Sequence, residues 1–148
     1  MYRIPLAGLI LACSMTALTA QADTIRPLKD SKSDIAGAIF LRKDAVKSNE
    51  GGGTTTDVVT FTSNDAAFQT GVFKSGPFHE VTKGPPGYPY NEFMYFISGS
   101  VTLTSSDGSV MVVKAGEAVT LPRGWTGHFD TQGYTKMYVT YNPDDIKK

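Results

Sequence analysis

The chain has 148 residues, of which 41% are hydrophobic and 19% are charged, and its formal net charge is zero. This length fits a single domain, since domains commonly contain about 100 to 150 residues. The zero net charge argues against nucleic acid as a partner, because nucleic-acid binding needs a basic surface that displaces counterions from phosphates. Fifteen glycines, eight prolines and 11% aromatic residues favour short strands joined by turns over a helical bundle.

The first 22 residues have the pattern of a secretion signal. Arg3 supplies the positive charge, residues 6–18 are apolar, and Ala20-Gln21-Ala22 places small side chains where signal peptidase cleaves. The apolar stretch is shorter than the roughly 18 to 20 residues that a membrane-spanning helix needs. We therefore predict cleavage after Ala22, a periplasmic or secreted protein, and no membrane association after cleavage.

The single cysteine, Cys13, lies inside this signal. The mature chain would then contain no disulfide, no thiolate metal site and no cysteine nucleophile. An alternative is lipoprotein processing, in which Cys13 becomes the lipidated N-terminus. Leu11 just before Ala12 fits that signal poorly, so cleavage after Ala22 is favoured.

Residues 23–56 are predicted to form an N-terminal arm. The arm is polar as far as residue 50, apart from an apolar patch at residues 35–41, and the Gly/Thr-rich run 51–56 is expected to be a flexible joint. Whether the arm is a short strand, a helix packed on the domain or a mobile segment is left open. A barrel is predicted for residues 57–143, followed by a tail at 144–148.

Short segments rich in β-branched and aromatic residues recur after the joint, separated by Gly, Pro and Asp-Gly turn signals. The pattern predicts strands at residues 58–61, 71–75, 79–82, 92–98, 100–104, 109–114, 117–121, 127–131 and 135–141. No helix-period stretch of ten or more residues appears in this half of the sequence. Nine short strands at regular spacing predict an all-β sandwich or barrel.

Two spacings are more specific. Glu92 is followed by six residues and then Gly99, and Gly116 is followed by five residues and then Pro122-Arg123-Gly124. Gly99 and Gly116 are expected at tight turns where a Cβ would clash. The Pro-Arg-Gly sequence is expected to turn the chain into the next strand.

Further segments keep the same register as these spacings: Tyr88-Pro89-Tyr90-Asn91-Glu92-Phe93, Ser98 to Thr104, Asp107-Gly108, Ala115 to Ala118, Leu121 to Gly127 and Lys136-Met137-Tyr138-Val139. Through them, residues 71–141 resemble the ureidoglycine-aminohydrolase-like cupin family, which also includes ethanolamine-utilisation cupins. The resemblance implies a single-domain cupin barrel, also called a double-stranded β-helix or jelly roll. It also implies pairing as a homodimer.

Metal-binding cupins usually carry a His-x-His pair before the glutamate and another histidine after the Pro-x-Gly turn. The corresponding positions lack histidine here: they are Pro86 and Tyr88, or Pro85 and Gly87 with the other allowed spacing, and Gly127. Glu92 alone remains, whereas transition-metal sites typically have three or four protein ligands. We therefore predict no metal and no other cofactor.

The two histidines of the chain offer one way to rebuild a metal site. His128 lies one residue past the expected ligand position, and alternation along a strand would turn its ring outward unless Gly127 allows a bulge. His79 lies on an earlier strand. The fallback metal set is therefore Glu92, His79 and His128, and the favoured alternative is ordinary surface histidines.

Alternation also predicts the lining of a ligand pocket. If Glu92 points inward, neighbouring residues of the same parity do so as well, and the second motif faces them. The predicted pocket residues are Tyr88, Tyr90, Glu92, Met94, Phe96, Phe129, Thr131, Lys136 and Trp125. A buried glutamate needs a partner, for which the candidates are the hydroxyls of Tyr88 and Tyr90 or the ammonium of Lys136. The alternative is a barrel that these side chains simply fill.

The opposite face of the same strand is apolar at Phe93, Tyr95 and Ile97. A strand that is apolar on both faces is covered on both. Either the N-terminal arm or a second subunit is expected to lie over it, and the resemblance favours the homodimer.

Three functions follow as hypotheses. The first is a metal-free binding module that holds a small organic molecule, such as a sugar or an amine, in an aromatic pocket. A second is a small-molecule enzyme with Glu92 as the catalytic acid or base, for which the resemblance implies a ureidoglycine-aminohydrolase-like reaction of hydrolase or isomerase type. The third is a non-catalytic interaction module with a filled barrel.

Overall fold

The computed structural model describes residues 25–50 and 53–146. The predicted signal of residues 1–22, with its cleavage point and Cys13, lies outside these residues. Within them, no helix has the length and apolar character needed to cross a membrane.

Strands joined by short turns dominate the described chain. In chain order the elements are α1 Lys32–Ile35, a 3-10 turn Ala38–Leu41, β1 Val46–Glu50, β2 Gly53–Thr62, β3 Phe68–Ser75, β4 Phe78–Thr82, β5 Asn91–Ser105, β6 Val110–Lys114, β7 Ala118–Leu121, β8 Gly127–Tyr141 and a 3-10 turn Pro143–Asp145.

All strand pairs of the barrel are antiparallel, in the order β1-β2-β3-β8-β5-β6, with β4 added on β8 and β7 added on β5. The two long strands β5 and β8 each belong to both sides of the barrel. The first half of β5 pairs with β7 and its second half with β6. Similarly, the first half of β8 pairs with β4 and its second half with β3. The predicted all-β jelly-roll barrel is confirmed.

The predicted strand breaks inside β5 and β8 are absent. Gly99 has a φ of +74°, and a Cβ there would lie 2.0 Å from the carbonyl oxygen of Gly133. Glycine therefore lets β5 bend against β8 while both strands continue. At Gly116 the predicted clash is wrong, because nothing lies within 4 Å of a Cβ, and its φ of +86° is what favours glycine.

The N-terminal arm packs against the outside of the barrel. A capping box begins α1, in which the Ser31 hydroxyl accepts from the backbone of Asp34 and the Asp34 carboxylate accepts from the backbone of Ser31. After it, Ile39 packs with Val58 and Val72 in a small outer core. The expected flexible joint at residues 51–56 is not found over residues 53–56, because these residues belong to β2 and pair with β1.

Two regions of the barrel interior differ in character. One region, which we call the apolar wall, consists of inward residues from the first half of β8, the second half of β5, and β6. Its members are Phe129, Val101, Leu103 and Val113, which are all buried. Inward residues of β2, β3, the second half of β8 and the first half of β5 form the polar wall. Its ionisable and hydroxyl-bearing members at the cavity described below are Asp57, Ser75, Glu92, Tyr134, Lys136, Tyr138 and Thr140.

Candidate functional site

A buried ion pair lies at the centre of the polar wall. Glu92 near the start of β5 and Lys136 on β8 are 3% and 6% exposed, and the Lys136 Nζ donates to Glu92 Oε1 at 2.8 Å. The hydroxyl of Tyr88 donates to the other carboxylate oxygen, Oε2, at 2.5 Å. Glu92 is therefore satisfied at both oxygens, as a buried carboxylate must be.

Strand register explains how these groups meet. Lys136 pairs with Phe96 and Thr140 pairs with Glu92 across β5 and β8, so the lysine and the glutamate lie two rows apart on the same face. The long lysine side chain spans this distance and passes Met94, whose Sδ lies 3.2 Å from Nζ.

The environment keeps this lysine charged. Burial acts to lower the pKa of Lys136, but the neighbouring Tyr134 and the Glu92 carboxylate act to raise it, and the net result is a pKa above the ordinary value. Burial and the adjacent Glu92 carboxylate raise the pKa of Tyr88 far above its usual range. At neutral pH Lys136 is therefore an ammonium, and Tyr88 is a neutral phenol that donates to Glu92.

A second acid lies beside this pair. Asp57 on β2 is partly buried, and the Tyr138 hydroxyl donates to its Oδ1 at 3.0 Å. Burial raises the pKa of Asp57, while the hydrogen bond from Tyr138 and the charge of Lys136 partly oppose this effect. Gly71 makes room for the tyrosine, because a Cβ at residue 71 would lie 2.4 Å from the Tyr138 ring.

Aromatic rings surround the lysine ammonium. Its Nζ lies 5.3 Å from the ring centre of Phe73, 5.7 Å from that of Tyr134 and 5.9 Å from that of Tyr138. These distances are within the range of cation–π attraction. The rings therefore add to the stabilisation of the buried charge that Glu92 provides.

A cavity of about 400 Å³ lies against the polar wall, in the size range of small-molecule sites. Most of its lining is aromatic or polar, and the residues that carry these side chains are Asp57, Gln69, Phe73, Ser75, Phe78, Glu80, Tyr88, Tyr90, Glu92, Phe129, Tyr134, Lys136, Tyr138, Thr140, Asn142 and Asp145. The interior is thus incompletely filled, unlike the filled barrel of the third hypothesis.

The structure brings together five of the nine predicted pocket residues at this cavity: Tyr88, Tyr90, Glu92, Phe129 and Lys136. Of the candidate partners for Glu92, Tyr88 and Lys136 bind it. Tyr90 packs edge-on against Tyr88, with ring centres 5.1 Å apart.

The other four predicted residues lie elsewhere. Met94 and Phe96 point inward, but they are fully buried in the packed core and do not line the cavity. Thr131 donates to the carbonyl oxygen of Ser100 at 2.6 Å, so its hydroxyl bonds to the backbone of β5. Trp125 packs against the main core and does not line the cavity, and its Nε1 donates to Ser105 Oγ at 3.1 Å.

Sequence reasoning missed four important lining residues: Asp57, Phe73, Tyr134 and Tyr138. Tyr134 and Tyr138 share the parity of Lys136 on β8, so extending the alternation from Lys136 in both directions would have found them. Asp57 carried no comparable signal, because the Gly/Thr-rich run before it predicted a joint.

The fallback metal site does not form. His79 and His128 lie side by side on the exposed surface, with ring centres 5.8 Å apart, and His79 bonds to Asp130 there. Glu92 is inside the barrel, with both oxygens occupied by Lys136 and Tyr88. Among the described residues no cluster of histidine, cysteine and acidic side chains suits a metal ion. The residues at the family's metal position thus do not fit a metal.

A family model described as the EutQ-like cupin domain matches residues 62–138, slightly more than half of the chain. Among curated proteins, none matches the sequence.

Solved structures of several bacterial proteins share the fold. A Pseudomonas syringae pv. tomato protein of unknown function from the DUF861 family is 19% identical with a TM-score of 0.58, and the match covers 65% of this chain but 43% of that protein. The Clostridium difficile EutQ protein is 21% identical with a TM-score of 0.51, over 79% of this chain and 82% of that one. The polyketide cyclase RemF from Streptomyces resistomycificus is 25% identical with a TM-score of 0.50, over 68% and 75% of the two chains.

Proposed function

The chain belongs to the EutQ-like cupin domain family, and we propose that its barrel binds a small organic molecule in the cavity beside Glu92 and Lys136, without a metal ion. The resemblance found in the sequence is confirmed at the level of family. Because one fold serves many functions, the proposal is argued from the cavity and not from the family.

The observation that carries the proposal is the cavity of about 400 Å³ beside the buried ion pair of Glu92 and Lys136. A barrel that only had to fold would fill this space with apolar side chains, because burying an ion pair costs desolvation energy that its attraction often only balances. An unfilled space lined by aromatic rings, hydroxyls and charges is the arrangement of a ligand pocket.

A fragment screen by NMR, observing the amides of the labelled protein, tests the proposal. Two Gln→Trp variants provide the comparison: Gln69 lines the cavity, whereas Gln132 is exposed on β8. We expect fragments to shift amides of the polar wall in the native protein and in Gln132→Trp, and to lose this effect in Gln69→Trp. Failure of every fragment to bind, or binding that Gln69→Trp leaves intact, would contradict the proposal.

The enzyme hypothesis has one observation in its favour, the hydrogen-bonded group of Tyr88, Glu92 and Lys136 on the cavity wall. The similar RemF protein is a polyketide cyclase. Against it, Lys136 and Tyr88 each donate to one oxygen of Glu92, and both hydrogen bonds make the carboxylate a weaker base towards a substrate. If a bound fragment is converted to product, Glu92→Gln should stop turnover while leaving affinity; unchanged turnover excludes Glu92 as the acid or base.

We also propose a homodimer through the outer face of β5. Phe93 and Tyr95 remain 46% and 42% exposed, because the arm covers only the Ile97 end of this face. Light scattering should give a dimer mass that falls to a monomer mass in the double variant Phe93→Ser and Tyr95→Ser. Val112→Ser, on the exposed part of β6, is the matched control and should remain a dimer. A monomeric native protein would refute the proposal.

Export stays a proposal that rests on residues 1–22. Expression with the complete N-terminus in a bacterial host should give a periplasmic protein whose intact mass begins at Asp23. A mass that begins at Met1, or a lipid-modified Cys13, would contradict cleavage after Ala22.

A further inference from the structure

The cavity lining carries more negative than positive charge. Among the described residues that line it, the acidic ones are Asp57, Glu80, Glu92 and Asp145, whereas Lys136 is the only basic one. Lys136 is already committed to Glu92 at 2.8 Å. Four ion pairs occur among residues 25–50 and 53–146, and neither Asp57 nor Glu80 belongs to one of them. The paired charges cancel, so the lining retains an excess of carboxylate.

Asp57 is more buried than Glu80 and Asp145, the other acidic residues of the lining outside the Glu92–Lys136 pair. The Tyr138 hydroxyl that donates to it at 3.0 Å is neutral, so the hydrogen bond satisfies one oxygen without cancelling the charge. A partly buried carboxylate without a counter-ion is unfavourable. A ligand with a positive charge would remove this penalty on binding.

Aromatic rings supply the second half of a cation site. The lining contains Phe78, Tyr88, Tyr90 and Phe129 in addition to the three rings that face the lysine. Those three already hold one ammonium, that of Lys136, at 5.3 to 5.9 Å. Ring faces attract ammonium groups, and aromatic pockets with nearby acids are a common way to recognise alkylated ammonium ions.

We propose that the ligand of this cavity is a small organic cation, whose ammonium group lies among the aromatic rings with Asp57 and Glu80 as its counter-charges. This inference rests on the proposed binding function and adds the chemical class of the ligand. An anionic ligand would face uncompensated carboxylates, and the charge of Lys136 offers it little because Glu92 cancels it. A neutral ligand of the same shape would gain the apolar contacts but not the electrostatic attraction.

A pair of probes that differ only in charge tests the inference. Choline and its neutral isostere 3,3-dimethylbutan-1-ol have the same shape, so calorimetric titration of each at matched salt isolates the effect of charge. We expect the native protein to prefer choline by about tenfold, the factor that corresponds to about 1.4 kcal/mol of cation–π and ionic attraction.

Two Asp→Asn variants locate the effect. Asp57→Asn should reduce the preference for choline to about twofold, since it removes the inner counter-charge. Asp44→Asn, the same change at an exposed arm residue that pairs with Arg42, should leave the preference unchanged. Amide shifts caused by choline should fall on β3, β5 and β8 near the cavity.

The outcomes separate this inference from the proposed function. Equal affinity for the two probes, or a preference that Asp57→Asn retains, overturns the cation inference while the binding function stands. The same holds if choline does not bind but neutral or anionic fragments shift amides of the polar wall. Absence of binding by every fragment and by both probes overturns both.

Discussion

The polar wall and the apolar wall are built from the same two long strands, but the polar wall buries ionisable side chains beside its apolar ones. β5 contributes Glu92 from its first half and Leu103 from its second, and β8 contributes Phe129 from its first half and Lys136 from its second. The backbone and the register thus treat both walls alike. What differs is the free energy of burial, which is favourable for Leu103 and Phe129 and unfavourable for an isolated Glu92 or Lys136.

This difference indicates which part of the interior serves the fold. The apolar wall stabilises the barrel through contacts that any jelly roll could use. By contrast, the polar wall includes an ion pair, a second carboxylate and a cavity, and burying such charges is unfavourable unless it is compensated. The proposed ligand would account for this arrangement, and the following predictions test the contrast between the walls.

The largest effect is expected from removing one partner of the ion pair. Lys136→Met leaves the buried Glu92 carboxylate without a counter-ion and should lower the free energy of unfolding by about 3–5 kcal/mol, measured with urea at pH 7. The double variant Glu92→Leu and Lys136→Met removes both charges and should recover the native stability or exceed it. A double variant as unstable as the single one would show that the fold itself needs the pair.

The apolar wall should respond to truncation without any such rescue. Leu103 is 4% exposed and packs in the main core, so Leu103→Ala should cost about 2–5 kcal/mol of unfolding free energy. Because no ionisable group is involved, the cost should be equal at pH 5 and pH 8. Val112→Ala, at a position 50% exposed on β6, is the control and should change stability by less than about 0.5 kcal/mol.

The sequence predicted the fold better than it predicted the walls. Two glycine-anchored spacings predicted the barrel, and alternation from Glu92 correctly directed Met94 and Phe96 inward. An inward position, however, does not distinguish a packed core from a cavity, because that depends on the side-chain volume contributed from the opposite wall. Met94 and Phe96 were therefore predicted in the pocket although they lie in the core.

Asp57 illustrates the other limit. The first part of its strand, before the predicted segment 58–61, is specified by pairing with β1 and β3 and not by local preference. The Gly/Thr-rich run therefore predicted a joint, whereas residues 53–56 belong to β2. Lys136 was one of three candidate partners for Glu92, and the choice required the register between β5 and β8. Contacts between side chains that long-range strand pairing brings together are therefore the part of the site that a single sequence does not predict.

A smaller effect is expected at Gly71, which makes space for the polar wall. Gly71→Ala places a Cβ 2.4 Å from the Tyr138 ring, so the ring must move and its hydrogen bond to Asp57 must weaken. We expect a loss of about 1–3 kcal/mol in unfolding free energy and weaker binding of the cavity ligand. Gly76→Ala meets only ordinary contacts, at 3.7 Å, and is the matched control. Equal effects of the two variants would show that Tyr138 tolerates displacement.

The smallest effect, and the most specific, concerns the stability contributed by Asp57. Burial raises the pKa of this carboxyl in the folded protein above its value of 3.8 in the unfolded chain. A raised pKa in the folded state means that the ionised form is the less favourable one. Any stability from the protonated form is therefore fully present below pH 3.8 and is lost as the pH rises through the folded pKa.

Asp57→Asn should consequently raise the free energy of unfolding at pH 7 by less than about 1 kcal/mol. This gain should vanish as the pH falls towards 3.5. Asp44→Asn provides a control of opposite sign, because the hydrogen bond from Arg42 lowers the pKa of Asp44 and so favours its ionised form. That variant should be slightly less stable than the native protein at pH 7, and the deficit should vanish on acidification. Thermal unfolding of both variants across this pH range gives the comparison. If Asp57→Asn instead destabilises the protein at pH 7, the carboxylate supports the fold, and the polar wall loses its main argument for a cationic ligand.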